Sequence, residues 1–326
     1  HGFTINHYNN DSTSSTSSST KLNIQLIPEE NTTIDPNELS VSGTKYGDVF
    51  AGINELFPDE ELSLRNAASR TDGYWKYISQ GLEPPPTLTY GEFDFMFFAK
   101  LIDQAAHLHS DTSMAMNMNT NMNGANPTGK TFLDVGSGTG RLVFGAAALH
   151  PELKLCRGLE ILPGIHQTAL EKLEQCQSKD GIYPPSLPNP NSNKGLPLAP
   201  IHFSCGSFDD PYEYIGDVDI VFAFSTCFTE DMMGTLSDFI GQQCKPGTIV
   251  ITTEYKLESS GMIPPLVGDL QMPFGDYQID LIDSIDGFNW LVGGQSTAHI
   301  QRVAKSLWND AGPRVRTEVP ATAQQQ

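Results

Sequence analysis

The sequence predicts an α/β protein built on a doubly wound, mostly parallel sheet of seven strands, with a small helical region ahead of it. Three observations predict this. Between Phe132 and Glu254, short apolar runs alternate with amphipathic helical patterns, the order that builds a parallel sheet covered on both faces. The first run ends in Gly136-Ser-Gly138-Thr-Gly140, a glycine turn that leads straight into a helical pattern. After the last helix, Tyr277 to Ile282 and Thr297 to Val303 both read as strands, and no helix fits between them. The two therefore form an antiparallel hairpin.

Each element has its own justification. Residues 1–20 are rich in Asn, Ser and Thr and read as a disordered tail. Residues 21–86 form a partly helical N-terminal region. Pro58 to Ala68 reads as a short capped helix, Thr71 to Ile78 as another, and Pro84-Pro-Pro86 stops any helix there. The main domain spans 87–310. In Phe93 to Ala106, Phe93, Phe97, Leu101 and Ala105 recur every fourth residue, with Phe98 and Ile102 beside them, which makes a helix. Residues 111–129, rich in Met and Asn, read as a surface insertion. The strand Phe132–Val135 and the helix Arg141–Leu149 follow, then the strand Lys154–Glu160 and the helix Gly164–Gln177. A proline-rich stretch, 178–200, is a second insertion. Ile201–Ser207 and Val218–Phe224 are strands. Thr229-Glu-Asp opens a helix to Gln243, and Thr248–Glu254 is a strand after the Pro246-Gly247 turn. Residues 311–326 read as a disordered tail.

Strand, glycine turn and helix together make a nucleotide-cofactor site, because glycines let a ligand approach the backbone and a helix N-terminus offers free N–H groups. A dinucleotide fingerprint needs Gly-x-Gly-x-x-Gly, but its sixth position is Arg141 here. The spacing is Gly-x-Gly-x-Gly, with Asp134 two residues ahead, and resembles motif I of the class I S-adenosylmethionine (SAM) methyltransferases. An acid at Asp134 suits a cationic amino-acid ligand and repels pyrophosphate. Ligands of such sheets lie at the carboxyl ends of the strands. That places four groups together: the loop residues Gly136, Ser137, Gly138 and Gly140; Glu160, whose carboxylate can accept from both ribose hydroxyls; Ser207 and Phe208 beside adenine; and Phe224 with Ser225 next to the reactive methyl. By its distance from the loop, Glu160 fits SAM or NAD equally. Phe208 reads as adenine stack or as plain core, and Ser225 as catalytic or as a polar strand end.

Composition narrows the partners. The chain has 326 residues, 38% hydrophobic and 18% charged, with 39 acidic against 19 basic residues and a net charge of −20. No cluster of Lys or Arg stands out, so direct nucleic-acid binding and attachment to an anionic membrane are not expected. The acidity keeps the protein soluble and would attract a basic partner. No apolar run reaches membrane-spanning length. The five cysteines are odd in number and lack Cys-x-x-Cys. They read as small buried residues of an intracellular reducing compartment, nucleus or cytoplasm, and not as disulfides or a metal site. A monomer is expected.

A narrower resemblance rests on Tyr90-Gly-Glu-Phe-Asp-Phe-Met-Phe-Phe-Ala-Lys-Leu-Ile-Asp103, followed after an insertion by Phe132-Leu-Asp-Val-Gly-Ser-Gly-Thr-Gly140. This resembles the non-SET histone lysine methyltransferases of the disruptor-of-telomeric-silencing type, which have the Rossmann-like class I fold. The resemblance implies SAM as cofactor, with Tyr90 and Glu92 clasping its methionine end and Asp134 near its amino group. Phe228 matches the last residue of the family's Asn-Asn-Phe-Ala-Phe segment and joins Ser225 as a candidate catalytic residue. Both asparagines are absent from Phe224-Ser-Thr-Cys-Phe228, and Ser207 replaces an acid. Trp290 matches a family tryptophan, but the tyrosines after it fall near Thr297 and Ala298. The family's basic segment has no counterpart. The expected activity is therefore SAM-dependent N-methylation of a protein lysine or other amine, with a basic protein among the candidate acceptors. A non-catalytic SAM-fold scaffold and an NAD-dependent oxidoreductase are the alternatives.

Overall fold

The computed structural model describes residues 46–308, except 86–87, 89, 115–126, 179–180, 183–194, 211–212, 214, 216, 266–272 and 290–293. The two tails, Trp290 and most of both insertions lie outside the described residues.

Strands β1 (Thr131–Val135), β2 (Leu155–Glu160), β3 (Ile201–Cys205), β4 (Ile220–Ala223) and β5 (Ile249–Thr253) run parallel. Strands β6 (Ser260–Ile263), β7 (Gly275–Asn289) and β8 (Gly294–Lys305) are antiparallel, and the sheet order is β3-β2-β1-β4-β5-β8-β7-β6. The chain winds outward from β1 in one direction and from β4 in the other. Their shared border is the switch point where this class of sheet opens a crevice.

The sheet has eight strands, not seven. The added strand is β6, a four-residue edge strand containing Gly261. A side chain at Gly261 would collide with the Tyr277 ring, as would one at Gly241 on the neighbouring helix. The glycines make room for a buried tyrosine and so erase the β pattern. The hairpin is also longer than its apolar cores suggest, because β7 and β8 continue through polar residues such as Asp283, Ser284 and Asp286.

Two helices cover the N-terminal side, α1 (Tyr46–Leu56) and α2 (Leu62–Ile78). α1 has no clear signal in the sequence, yet it buries Val49, Ile53 and Leu56. The two short helices expected at 58–68 and 71–78 are one, because nothing between them breaks the hydrogen-bond ladder; only Asp59–Glu61 forms a separate 3-10 turn. α3 (Phe95–Met114) runs past its expected end into the Met/Asn-rich stretch. α4 (Arg141–Leu149) is buried along its whole length, which its run of alanines allows. α5 (Pro163–Ser178) follows β2, and α6 (Glu230–Gln243) follows β4. Thr229 caps α6 by accepting from the Met232 N–H at 3.3 Å, with Glu230 and Asp231 in the first turn. In the proline-rich stretch, Ile182 pairs with Leu196.

One apolar cluster fills the α1/α3/α4 side of the sheet, around Phe98, Phe132, Phe144 and Phe222. A second lies on the α6 side, around Val135, Val221, Leu236 and Ile240. Among the described residues no helix is long and apolar enough to cross a membrane. Cys156, Cys176 and Cys244 are buried as expected, but Cys205 and Cys227 are exposed: Cys205 ends edge strand β3 and Cys227 lies in the turn after β4. All five are free thiols.

Candidate cofactor site

Strand register assembles the site. Val135 pairs with Leu159 and with Ala223, so Gly136 falls level with Glu160 on one side and Phe224 on the other. Glu160 pairs with Cys205, which brings Gly206 and Ser207 to the same edge. A cavity of about 470 Å³ opens there, within the range of small-ligand sites. It is lined by Gly136, Gly138, Glu160, Ser207, Phe208 and Phe224 among others. The acids on its wall are Glu92, Glu160 and Asp209, and none of the described lining residues is Lys, Arg or His.

The three loop glycines differ in role. All have positive φ, +77° at Gly136, +56° at Gly138 and +82° at Gly140, so each holds a conformation that L side chains rarely adopt. A Cβ on Gly136 would meet nothing within 4 Å and would project into open space. A Cβ on Gly138 would lie 2.5 Å from the Tyr90 ring, which already covers that position. Gly140 does not line the cavity. It packs at the start of α4, where a Cβ would lie 2.5 Å from the Phe203 ring. Its expected role as a ligand contact is therefore corrected to a packing role.

The loop's own N–H groups are largely committed. Gly136 and Ser137 both donate to the Leu159 carbonyl, at 2.8 and 3.0 Å, and Gly140 donates to the Ser137 carbonyl at 2.8 Å. Gly138 donates to Glu160 Oε2 at 2.7 Å, while Leu162 donates to Oε1 at 2.8 Å. The anion cradle of a dinucleotide site, in which such groups face the phosphates, is thus already filled by protein acceptors. Burial pushes the Glu160 carboxyl above its usual range, against the opposing pull of these N–H groups. A carboxylate has about four acceptor positions, so Glu160 retains capacity for ribose hydroxyls.

The Tyr90-Gly-Glu92 segment is tied to the loop and to α2. The Tyr90 hydroxyl donates to Glu92 Oε1 at 2.8 Å and lies 2.9 Å from the Thr139 hydroxyl. Glu92 is buried between two arginines, with Arg65 Nε at 2.6 Å and Arg141 Nε at 3.5 Å. Arg141 in turn donates to the Phe93 carbonyl. Glu92 therefore fixes the segment in place, and its Oε2 has no hydrogen-bond partner among the described residues. Beside it a small space of about 30 Å³ is walled by Asp134, Ser137, Gly138 and Arg141. The Ser137 hydroxyl there is buried and unpartnered. Burial, and then the charge of Glu160, push the Asp134 carboxyl up to about 8.

Past β3, Phe208 packs against Phe228 at 5.7 Å and Phe239 at 6.2 Å, yet also lines the cavity. Phe208 is thus partly buried against the core and partly open to the cavity. Phe224 stacks edge-on with Phe93 at 5.2 Å. Phe228 lines the cavity with Thr226, Cys227 and Met232.

Ser225 is corrected. It is fully buried, outside the cavity, and exchanges hydrogen bonds with Thr253: its N–H donates to Thr253 Oγ1 at 3.0 Å and its hydroxyl to the Thr253 carbonyl at 2.7 Å. It ties β4 to β5 and is removed from the candidate catalytic set. Of the titratable groups that could serve as a base for an amine acceptor, Glu230, Asp231, His166 and His299 do not line the cavity.

The largest part of the site hidden from sequence reasoning is α2. Its Leu62, Asn66, Ser69 and Tyr77 form a wall of the cavity. Their spacings of four, three and eight residues place them on one helix face, but polar residues at Asn66 and Ser69 make that face look solvated.

No protein-family profile matches the chain, and no curated protein matches it. Solved structures similar to it include an RNA methyltransferase from Salinibacter ruber in complex with S-adenosyl-L-homocysteine, at 18% identity over 56% of this chain and 86% of that one, TM-score 0.35. The rRNA methyltransferase aviRa from Streptomyces viridochromogenes gives 12%, 65%, 86% and 0.40 for the same quantities. Magnesium protoporphyrin IX methyltransferase from Synechocystis PCC 6803 with bound SAH gives 12%, 74%, 99% and 0.35. Likenesses at these identities and TM-scores do not bear on function, for which the strand topology and the cavity are the grounds.

Proposed function

We propose that the chain is a SAM-dependent methyltransferase acting on an amine, of a protein lysine or of another acceptor. The observation that carries this is the composition of the cavity wall: acids at Glu160 and Asp209, a Glu92 balanced by Arg65 and Arg141, and no basic residue among the described lining residues, at a Gly-x-Gly-x-Gly loop whose N–H groups are bonded to protein. Such a wall favours a cation and disfavours pyrophosphate. SAM supplies a methyl group on a positively charged sulfur when bound. Gly136 gives it close approach to the backbone, Glu160 accepts from its ribose, and Ser207 and Phe208 face its adenine. Tyr90, held by Glu92 and Thr139, closes the loop end. The acceptor enters beside Phe224 and Phe228, where apolar walls exclude water.

The protein residues position the acceptor's lone pair in line with the methyl. A charged amine must first lose its proton, and the described lining residues near Phe228 include no strong base. Deprotonation before binding is therefore part of the reading. That same lack favours a second reading, a non-catalytic SAM-binding scaffold. The net charge of −20 supports a basic protein as acceptor over a nucleosome, whose DNA it would repel.

Two measurements test this. Calorimetry with SAM, S-adenosylhomocysteine (SAH) and NAD should give binding of the first two alone. Transfer of labelled methyl from SAM to free histones, nucleosomes and a lysate then separates the readings. NAD binding in preference to SAM would refute the cofactor, and tight SAM binding without transfer would favour the scaffold.

A further inference from the structure

α2 runs along the cavity between two landmarks. At one end Arg65 donates to Glu92 at 2.6 Å. At the other, Asp72 accepts from the Gly164 N–H at 2.5 Å, and Gly73 packs against Leu88 and Leu162. Arg65 and Gly73 are roughly 12 Å apart along the helix, at 1.5 Å per residue.

The glycine-loop wall opposite spans the same landmarks. Leu162 donates to Glu160, Glu160 accepts from Gly138, and Gly138 lies under Tyr90, which bonds Glu92. Glu160, Gly138, Glu92 and the middle of α2 all line one cavity.

Asn66 and Ser69 occupy that middle, one turn apart on one face, and both line the cavity. Ser69 is 0% exposed and its hydroxyl has no hydrogen-bond partner among the described residues; the buried Asn66 Oδ1 has none among them either. A buried polar atom without a partner is destabilising, and alanine at either position would also be the better helix former. Two such atoms on one face of one helix, both at a cavity wall, mark a polar ligand.

We propose that Ser69 and Asn66 bind the amino-acid end of the cofactor, the Ser69 hydroxyl donating to its carboxylate and the Asn66 amide oxygen accepting from its ammonium. This rests on the SAM reading above. The helical region ahead of the main domain thereby becomes part of the binding site. It selects for ligands that carry the amino acid, a distinction Glu160 and Phe208 cannot make, since they face adenosine.

The test compares SAH with 5′-methylthioadenosine, which keeps the adenosine and thioether but lacks the amino-acid end. Calorimetry on the full chain should show the wild type preferring SAH. Ser69→Ala and Asn66→Ala should each weaken SAH by roughly 10-fold or more, as for a hydrogen bond to a charged group. Affinity for methylthioadenosine should stay unchanged, which also shows that the variants are folded. The ligand-free Ser69→Ala protein should melt at the wild-type temperature or higher, since it loses only an unpartnered hydroxyl. Wild-type SAH affinity in both variants would overturn the proposal, and so would equal loss for both ligands. A wild type that binds neither ligand would instead refute the SAM reading, and the inference with it.

Discussion

Adding one methyl group to Gly136 or to Gly138 should give opposite signatures, although the two glycines are two residues apart. Both changes share one cost. Each places an L side chain at positive φ, at +77° and +56°, for about 1–2 kcal/mol. At Gly136 nothing else is added in the free protein, because no atom lies within 4 Å of the new Cβ. At Gly138 the Cβ falls 2.5 Å from the Tyr90 ring, so the ring must shift by about 1 Å to reach normal contact. Overpacking of that kind costs about 1–3 kcal/mol more. Gly138→Ala should therefore lose roughly 2–5 kcal/mol of unfolding free energy and Gly136→Ala roughly 1–2. Urea unfolding of the ligand-free proteins measures this difference. SAM affinity should rank the other way relative to stability: Gly136→Ala, mild for the fold, puts its methyl in the cavity and should bind poorly. Measured within a Tyr90→Ala background, Gly138→Ala should cost only the backbone part, because the ring it would meet is gone. Equal stability of the two single variants would show that Tyr90 does not cover the loop, and would remove the basis for its closing role.

Three further outcomes follow from the site. Glu160→Ala removes the acceptor for the Gly138 and Leu162 N–H groups as well as for the ribose, so it should weaken SAM binding by about 1.5–3 kcal/mol and also destabilise the ligand-free protein; a binding loss at unchanged stability would contradict the two bonds. Asp134, with its carboxyl pushed up to about 8, is mostly protonated at pH 7, and a cation bound beside it would lower that value. Binding should then release up to about 0.9 proton at pH 7 and strengthen as pH rises towards 8, as read by calorimetry in buffers of different ionisation enthalpy. Asp134→Asn should abolish that part of the proton release, and unchanged release would place its source elsewhere. Of the thiols, Cys205 and Cys227 should react with a disulfide reagent in the native protein, and Cys156, Cys176 and Cys244 only after unfolding. Cys227 lines the cavity, so SAH should protect it while leaving Cys205 reactive. Equal reactivity of Cys227 with and without SAH would argue against a ligand in this part of the cavity.

Local patterns carry a large share of the fold. The helix Arg141–Leu149 is legible to the residue, because a glycine with positive φ fixes its start and an unbroken apolar run its length. The ends of the five parallel strands fall within two residues of those expected; β4, buried along its length, is written as a continuous apolar run. Ser207, expected in the strand, lies past β3, whose strand-like sequence outlasts its hydrogen bonds by two residues. β6 escapes sequence reasoning because its glycine answers to Tyr277, a residue on another strand.

The sequence by itself determined the alternation of strands and helices, the glycine loop, and the presence of an acid at the end of β2. Those depend on neighbours a few residues apart, and periodicity records such neighbours. Only the tertiary structure decided what each glycine faces, that Ser225 belongs to Thr253, that Glu92 lies between Arg65 and Arg141, and that α2 walls the cavity. They rest on contacts between distant residues, 27 positions apart for Arg65 with Glu92, 28 for Ser225 with Thr253 and 49 for Tyr90 with Thr139. A local pattern cannot encode them, because a polar residue on a helix reads the same whether it meets water or a ligand.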